Sequence, residues 1–335
     1  MTETSSVASH LGPLFREQGR FVWGLAYRMT GSATDADDIL QETFARALDR
    51  NPTTERDLRP WLTAVAVNLG RDALRRRRRR SYVGPWLPSP VDDEVKGPWA
   101  PDAGVAFERR EGAMFAFVLA LEVLTPQQRG VLLLRDVFDR SVEETAAALG
   151  ISETRVKVTH HRARARLKAA TANGSPSPAV PRATEATLTA LTRFVTALTT
   201  EDDGALLACL TDGVRVLSDG GGEFMAALKP VLGADRVMRF FAGLRRKLGS
   251  DGRFEVRSVN GEPTLIAEQT THVAKAAPRW LLRVEVAPDG RIAELHLVAA
   301  SAKLTHVRPI DGGTTRVGAG SSQLPGAASD LPRTV

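Results

Sequence analysis

Cysteine and long apolar runs are almost missing from this chain. Its 335 residues include a single cysteine, Cys209, so no disulfide can form within the chain. We expect Cys209 to be a small core residue in a reducing compartment. No run of about 18 apolar residues is present, and the first residues lack the basic-then-apolar pattern of a signal peptide. The sequence therefore predicts a cytoplasmic protein that does not use a membrane.

The signatures of metal and cofactor chemistry are missing as well. None of the six histidines forms a pair with metal-ligand spacing, and no glycine-rich phosphate loop precedes a helix. We expect no cofactor and no metal. The formal charge of +6 and an isoelectric point near 9.9 instead favour a polyanionic partner, and the length favours several domains.

The most informative segment, residues 124–169, predicts two short helices joined by a tight turn. Ser141 and Glu144 form a capping box, Gly150 suits a left-handed helix end, and Ile151 can plug the turn. Ser152 can cap the second helix. The apolar faces are predicted to be Ala146, Ala147 and Leu149 in the first helix and Val156, Ala163 and Leu167 in the second. This pattern predicts a helix-turn-helix.

The exposed positions of the second helix are candidates for DNA contacts. In a helix-turn-helix the early residues of that helix meet base edges and the later basic residues meet phosphates. The alternative is a solvated helical hairpin with basic decoration. The candidate residues are Ser152, Thr154, Arg155, Lys157, Thr159, Arg162 and Arg164.

An acidic amphipathic helix is predicted over residues 34–48. Its buried stripe is predicted to hold Ile39, Leu40, Phe44, Ala47 and Leu48, and its opposite face holds Asp38, Gln41 and Glu42. Such a face repels phosphates, so its natural partner is a basic protein surface. Ordinary solvated carboxylates are the alternative.

A second amphipathic helix, predicted over residues 57–80, ends in the arginine run Arg75–Arg80. We expect it to lie on nucleic acid, with Asn68, Arg71 and Arg75 outward and the arginines on backbone phosphates. A nonspecific basic tail remains open, and a polybasic membrane patch is weaker still. The residues expected to be buried are Leu58, Trp61, Leu62, Val65 and Leu69.

These segments in this order resemble the extracytoplasmic-function (group IV) bacterial sigma factors. The resemblance rests on DADDILQETF, RPWLTAVAVNLGRDAL and LTPQQRGVLLLRDVFDRSVEETAAALGISETRVKVTHHRARARL. It implies two all-α domains, a helical bundle over residues 1–81 and a helix-turn-helix over residues 103–172. One departure is His160, where the family usually has leucine.

The resemblance also implies partners and site residues. The partners are core RNA polymerase, through its β′ clamp and β flap, and promoter DNA. The helix-turn-helix residues given above would read the −35 element. The polymerase contacts would be Asp35, Asp38, Gln41 and Glu42, and the −10 contacts would be Trp61, Asn68, Arg71 and Arg75.

Linkers rich in proline and glycine separate the predicted domains. Residues 82–102 should be an extended tether that lets the two DNA-binding modules sit apart. Trp86 and Leu87 beside prolines could be an apolar hook or inert linker residues. A second linker covers residues 173–183, and a disordered tail is expected over residues 308–335.

Residues 184–307 read as helices followed by alternating strands, with a hairpin turn at Asp289-Gly290. The pattern predicts an α+β cone with a curved antiparallel sheet. It resembles the SnoaL-like, cystatin-type cone that sigma-J-like sigma factors carry. The matching motifs are YVGPWLPSP, the Asp219, Gly220, Gly221 and Gly222 run, and Lys303-Leu304.

The resemblance implies that the cone regulates the sigma domains of the same chain, in a direction the sequence leaves open. Close backbone approach at the glycine run would bring it against Trp86 and Leu87, although a plain β-turn is the alternative. We do not expect an enzyme, because its acid and base candidates are poor. Binding of an unknown small ligand in the cone remains an alternative. A response regulator is not expected, because the chain lacks the βαβ receiver pattern. The enzyme candidates are Asp212, Asp219, His272 and His296.

Overall fold

The computed structural model describes residues 3–50, 58–80, 82–94, 114–172, 184–249 and 252–310. The chain forms two compact units. The helical unit comprises residues 1–81 and 94–180, and the sheet unit comprises residues 82–93 and 181–335. Residues 82–93 of the predicted tether thus belong to the sheet unit, and both predicted DNA-binding modules belong to the helical unit.

Three helices begin the helical unit: α1 (Glu3–Thr30), α2 (Ala33–Arg50) and α3 (Leu58–Arg79). Buried Leu25, Met29 and Leu62 belong to their shared core. A Cβ atom on Gly70 of α3 would lie 2.9 Å from the Met29 Cβ of α1, so the two helices pack closely at this glycine. The predicted helical bundle is present.

The apolar stripes of α2 and α3 differ in detail from the prediction. Leu48 is 45 % exposed, because it lies about 100° of helix rotation beyond the buried Ala47, at the edge of the stripe. Trp61, Val65 and Leu69 are only half-buried. The buried face of α3 consists of Leu58, Leu62, Thr63, Ala66, Val67, Gly70, Ala73 and Leu74, which include small residues that allow close packing.

The later helices of the helical unit are α4 (Met114–Ala120), α5 (Pro126–Leu132), α6 (Val142–Leu149) and α7 (Glu153–Ala172). A 3₁₀ turn (Leu121–Val123) follows α4, and a π-helical turn (Leu133–Val137) follows α5.

The helix-turn-helix consists of α6 and α7. The Ser141–Glu144 capping box is present, and Gly150 is left-handed with φ 62°. Val156 and Ala163 are fully buried, whereas Leu167 is half-buried and Ala147, expected on the apolar face, is exposed.

The sheet unit contains α8 (Thr184–Thr199), α9 (Asp203–Ala208) and α10 (Ala234–Leu248). Within its described residues, six strands form a sheet in the order β2-β1-β6-β5-β4-β3. They are β1 (Leu210–Asp219), β2 (Val231–Leu232), β3 (Gly252–Val259), β4 (Glu262–Gln269), β5 (Arg279–Val286) and β6 (Ile292–Val298).

The sheet is mixed rather than wholly antiparallel, because β1 pairs with β6 in parallel. No hairpin joins these two strands, so local sequence does not dictate their relative direction. The hairpin from β5 to β6 turns at Asp289-Gly290 as predicted, with Gly290 at φ 83° and its N–H bonded to the Ala287 carbonyl at 3.0 Å.

The two faces of the sheet differ in chemistry. The face towards the helices is apolar, and Val216, Leu282 and Leu295 share a core there with Phe194 and Phe241, whose rings meet edge-on at 5.0 Å. The opposite face carries polar residues from neighbouring strands, namely Arg215, Arg283, Glu294 and His296. In the helices of the described residues, no segment has the length and apolar character needed to cross a bilayer.

Candidate nucleic-acid and partner interfaces

The acidic face of α2 is open to solvent. Asp38, Gln41 and Glu42 are exposed, and Asp35 in the first turn is half-buried. Glu42 pairs with Arg46 at 2.7 Å across one helical turn. This exposed ion pair is worth little to stability, so it leaves the Glu42 carboxylate available to a partner.

The neighbouring carboxylate of Asp37 has a structural role. It accepts a hydrogen bond from the Trp23 indole at 2.8 Å, and the Trp23 ring stacks on Tyr27 at 5.2 Å. Asp37 therefore ties α2 to α1 and does not belong to the exposed acidic face.

The −10 candidates Asn68 and Arg71 lie against the end of the helix-turn-helix helix α6. The Asn68 side-chain amide donates to the Ala148 carbonyl at 3.1 Å. The Arg71 guanidinium donates to the Leu149 carbonyl at 3.3 Å and to Asn68 Oδ1 at 2.8 Å. The donors that were expected to reach DNA thus bind carbonyl oxygens of the later helices.

The arginine run at the end of α3 is divided between two roles. Arg75 is exposed and pairs with Asp72 at 2.9 Å. Arg77 instead binds the Glu122 carboxylate at 2.5 Å and the Thr30 carbonyl at 2.6 Å, and Arg78 donates to the Leu124 carbonyl. In this arrangement Arg77 and Arg78 bind protein oxygens, and the phosphate role of the arginine run stays a prediction.

Glu122 and Arg129 are interface residues that sequence reasoning missed. The Arg129 side chain is 1 % exposed, pairs with Glu122 at 2.5 Å and donates to the Arg28 carbonyl of α1 at 2.9 Å. The available signal was an arginine just before the apolar run Val131–Leu134, since a buried charge requires a partner.

The recognition helix α7 presents its predicted contact residues to solvent. Thr154, Arg155, Lys157, Arg162 and Arg164 are exposed and Thr159 is half-buried. Exposed Ser152 caps the helix, accepting from the Arg155 N–H at 3.3 Å.

The family departure at His160 has a specific partner. Its Nε2 lies 2.6 Å from the Asp136 carboxylate, which Arg164 approaches at 3.9 Å. A polar contact replaces the apolar packing that a leucine would provide, and it joins α7 to the π-helical turn.

Asp219, at the end of β1, holds the first half of the linker. Its side chain is fully buried and accepts from the Tyr82 hydroxyl at 2.5 Å and from the Leu87 N–H at 2.7 Å. Lys303 donates to both Asp219 and the Leu87 carbonyl, and its ammonium lies 4.2 Å from the centre of the Trp86 ring. Linker, glycine turn and the segment after β6 therefore meet at one buried ion pair.

The glycine run permits this close approach. Gly221 has φ +63°, and a Cβ atom there would lie 2.8 Å from the Ala300 Cβ. A Cβ atom on Gly222 would lie 3.2 Å from Val83 of the linker, and one on Gly220 would lie 2.5 Å from the Phe224 carbonyl oxygen. A larger residue at position 222 would therefore press on the linker, and one at position 221 would press on the segment after β6.

A second anchor, also missed from the sequence, holds the far end of the linker. The fully buried Asp92 carboxylate binds Arg257 at 2.9 Å and Arg308 at 3.1 Å. Asp93 accepts from the Gly261 N–H at 2.9 Å, and burial is the main cause that raises the pKa of its carboxyl. Since Arg308 and buried Ile310 pack on the sheet unit, the expected disordered tail does not begin at residue 308.

The enzyme candidates have other roles. Asp212 is fully exposed, and His272 lies exposed in the loop between β4 and β5 rather than in a strand. His296 is buried and contacts Glu294 at 2.9 Å, while Asp219 holds the linker.

Comparisons with known proteins show the family to which the chain belongs. Residues 14–80 match the family Sigma-70 region 2, and residues 114–167 match Sigma-70, region 4. The sigma factor SigJ of Mycobacterium tuberculosis is 35 % identical over 254 residues, which cover 74 % of this chain and 78 % of SigJ. The chain is an extracytoplasmic-function sigma factor. It therefore binds core RNA polymerase and promoter DNA and directs transcription initiation.

The likeness of this sigma factor to SigJ extends beyond the sigma regions. The crystal structure of M. tuberculosis SigJ matches with a TM-score of 0.68 and 29 % identity, covering 88 % of this chain and 98 % of that one. SigG of the same organism is 34 % identical over 224 residues, covering 61 % of this chain and 59 % of SigG.

Proposed function

We propose that the sheet unit of this sigma factor regulates initiation within its own chain by holding the linker between the two sigma regions. The observation that carries this proposal is the buried Asp219–Lys303 pair, which binds Tyr82, Trp86 and Leu87. An inert tether would not need a buried charge pair, because burying ions is costly unless their hydrogen bonds are satisfied.

The direction of control follows from the entropy of the linker. A free linker gains conformational freedom when regions 2 and 4 separate, whereas a held linker gains less. Holding residues 82–93 therefore favours the closed helical unit, in which Asn68 and Arg71 bind α6. We propose that the sheet unit restrains initiation and that releasing the linker increases it.

Individual contact roles are part of the same proposal. Asp38, Gln41 and Glu42 dock on the β′ clamp, with Asp35 beside them, and region 4 contacts the β flap. Trp61, Asn68, Arg71 and Arg75 serve the −10 element once α6 moves away. These roles are supported by the exposed acidic face of α2 and the donors of α3. Because its partner is RNA polymerase, we propose that the protein acts in the cytoplasm.

A small-molecule sensor or a cyclase-like cone is not favoured. Phe194 and Phe241 pack with strand residues on the helix side of the sheet, where such proteins hold a ligand. The four acid and base candidates also lie in different places, as described above, and do not form one site.

Run-off transcription with core polymerase tests the assignment of activity to the sigma regions. A chain ending at Thr171 keeps both sigma regions and lacks the unit that holds the linker. We expect it to direct at least as much transcript as the full chain from the same promoter. A truncated chain that binds polymerase normally and yields less transcript would contradict the restraint.

The −35 contacts give a prediction that compares base-reading residues with a phosphate-binding residue of the same helix. Arg155→Ala or Lys157→Ala should cost about 1 to 3 kcal/mol on matched −35 DNA if the side chain reads a base. Arg164→Ala should weaken matched and scrambled DNA alike and lower the salt slope by about one unit, as for a phosphate contact. Equal losses on both DNAs for all three variants would rule out base reading.

Linker and glycine turn should act as one element. Trp86→Ala removes the ring beside Lys303, and Gly221→Val places a β-branched residue at φ +63° against Ala300. Both should raise transcription to a similar extent, and the double variant should add little, because each releases the same contact. Strictly additive effects would mean that the two sites act separately.

A further inference from the structure

A buried ion triad joins the two sigma regions inside the helical unit. The Glu122 carboxylate lies 2.5 Å from Arg77 of α3 through one oxygen and 2.5 Å from Arg129 of α5 through the other. The side chains of Arg77, Glu122 and Arg129 are 19 %, 26 % and 1 % exposed. We call these three residues the Glu122 latch.

The latch is charged at neutral pH. Burial opposes the ionised carboxylate, but the guanidinium groups of Arg129 and Arg77 outweigh burial and hold the pKa of Glu122 below its usual range. A lowered carboxyl pKa means that the pair is fully formed above the ordinary glutamate pKa and is lost only as the pH falls through the lowered value. Changes of pH near neutrality therefore do not open the latch.

In the latch, Arg77 binds a carboxylate, which is an oxyanion like the phosphates of nucleic acid. Arginine pairs with planar or tetrahedral oxyanions through its forked donors, and a backbone phosphate is such an anion. Arg77 belongs to a run whose neighbours Arg76 and Arg79 are exposed on the same helix end. A strand of nucleic acid on that end would meet Arg77 only if Glu122 left it.

We propose that Glu122 is an internal substitute for a phosphate, and that single-stranded DNA on α3 displaces it from Arg77 and so opens the helical unit. This proposal rests on the nucleic-acid role of α3 proposed above. It makes DNA binding on α3 and release of region 4 coupled events. By linkage, breaking the latch must tighten DNA binding by the same factor with which DNA favours opening.

Fluorescence energy transfer within the full chain tests the latch. Dyes are placed at exposed positions of α2 and α7 by Ala45→Cys and Ala169→Cys, with Cys209→Ser removing the native thiol. The probe is a short single-stranded oligonucleotide of mixed sequence, titrated at low salt. In the protein with the wild-type latch, we expect energy transfer between the two dyes to fall as the oligonucleotide binds.

The variants separate the latch from general loss of charge. Glu122→Gln frees Arg77 for phosphate, so half-opening should need about tenfold less oligonucleotide. Glu143→Gln, at an exposed carboxylate of α6, should match wild type. Arg77→Gln should lower transfer efficiency before any DNA is added and leave the Glu122–Arg129 pair intact. Its exposed neighbour variant Arg76→Gln should start as wild type and need more oligonucleotide.

Two results would overturn the latch. One is equal resting transfer in Arg77→Gln and Arg76→Gln, and the other is unchanged transfer in the wild type at saturating oligonucleotide. Thermal unfolding followed by circular dichroism identifies a variant that fails to fold. Since the readout uses no polymerase, failure here with normal effects of the −35 and linker variants on transcription would leave the proposed regulation standing.

Discussion

Reversing charge at Asp38 and Glu42 to lysine is expected to abolish binding to core RNA polymerase while helicity stays unchanged. Both side chains are exposed on α2, and each reversal replaces attraction to a basic partner by repulsion. We expect the double variant to lose about a hundredfold or more in affinity. Co-purification with core polymerase and equilibrium binding measure the loss.

Asp49→Lys is the matched control, because Asp49 is also an exposed acid of α2 but lies about two helical turns beyond Glu42, near the end of the helix. It should bind core polymerase nearly as the wild type does. Lysine at position 42 also meets Arg46, which should cost only a few tenths of a kcal/mol in helix stability. Wild-type recovery of the double variant with core would show that the docking assignment is wrong.

Asp219→Asn is expected to release the first half of the linker from the sheet unit. The amide removes the negative charge opposite Lys303, whose side chain is 9 % exposed, and breaking a buried ion pair from one side costs about 3 to 5 kcal/mol. Undocking of the first half of the linker, which Asp219 holds, hydrates the stranded ammonium and relieves that cost. Hydrogen exchange at the Leu87 amide, which donates to Asp219, should accelerate by about a hundredfold.

Asp212→Asn serves as the control, because this carboxylate is fully exposed in the same strand and lies 3.6 Å from Arg291. Its linker exchange should match wild type. Lys303→Met combined with Asp219→Asn should cost less than the two single costs together, because both remove the same pair. If Leu87 exchanged at the wild-type rate in Asp219→Asn, the pair would not be what holds the linker.

Elements with local signals were predictable from the sequence. The capping box of Ser141 and Glu144 and the left-handed Gly150 bound α6, and Asp289-Gly290 turns the last hairpin as expected. The motif residues Trp86, Leu87 and Asp219 meet in the structure, although their role in regulation stays a prediction. The helix cap and the hairpin turn are signalled by a few neighbouring residues, whereas the meeting of the linker with Asp219 was implied by the resemblance.

Contacts between distant segments were not predictable in the same way. Nothing near Arg77 indicates that it faces Glu122 instead of solvent, because the partner lies 45 residues away. Arg257 and Arg308, which pair with Asp92, are even further from it in the sequence. The parallel pairing of β1 with β6 depends on the whole sheet. Hydrophobic periodicity identifies a helix face but does not identify which charged residue bridges two helices.

The central claim is that the hold on the linker restrains initiation, and run-off transcription with the full-length protein tests it most directly. Wild type, Asp219→Asn and Asp212→Asn are compared with the same core polymerase and promoter at limiting sigma factor. The account predicts several-fold more transcript from Asp219→Asn than from wild type, and equal transcript from Asp212→Asn and wild type. Equal or reduced transcript from Asp219→Asn, with its linker shown to be released by exchange, would contradict it.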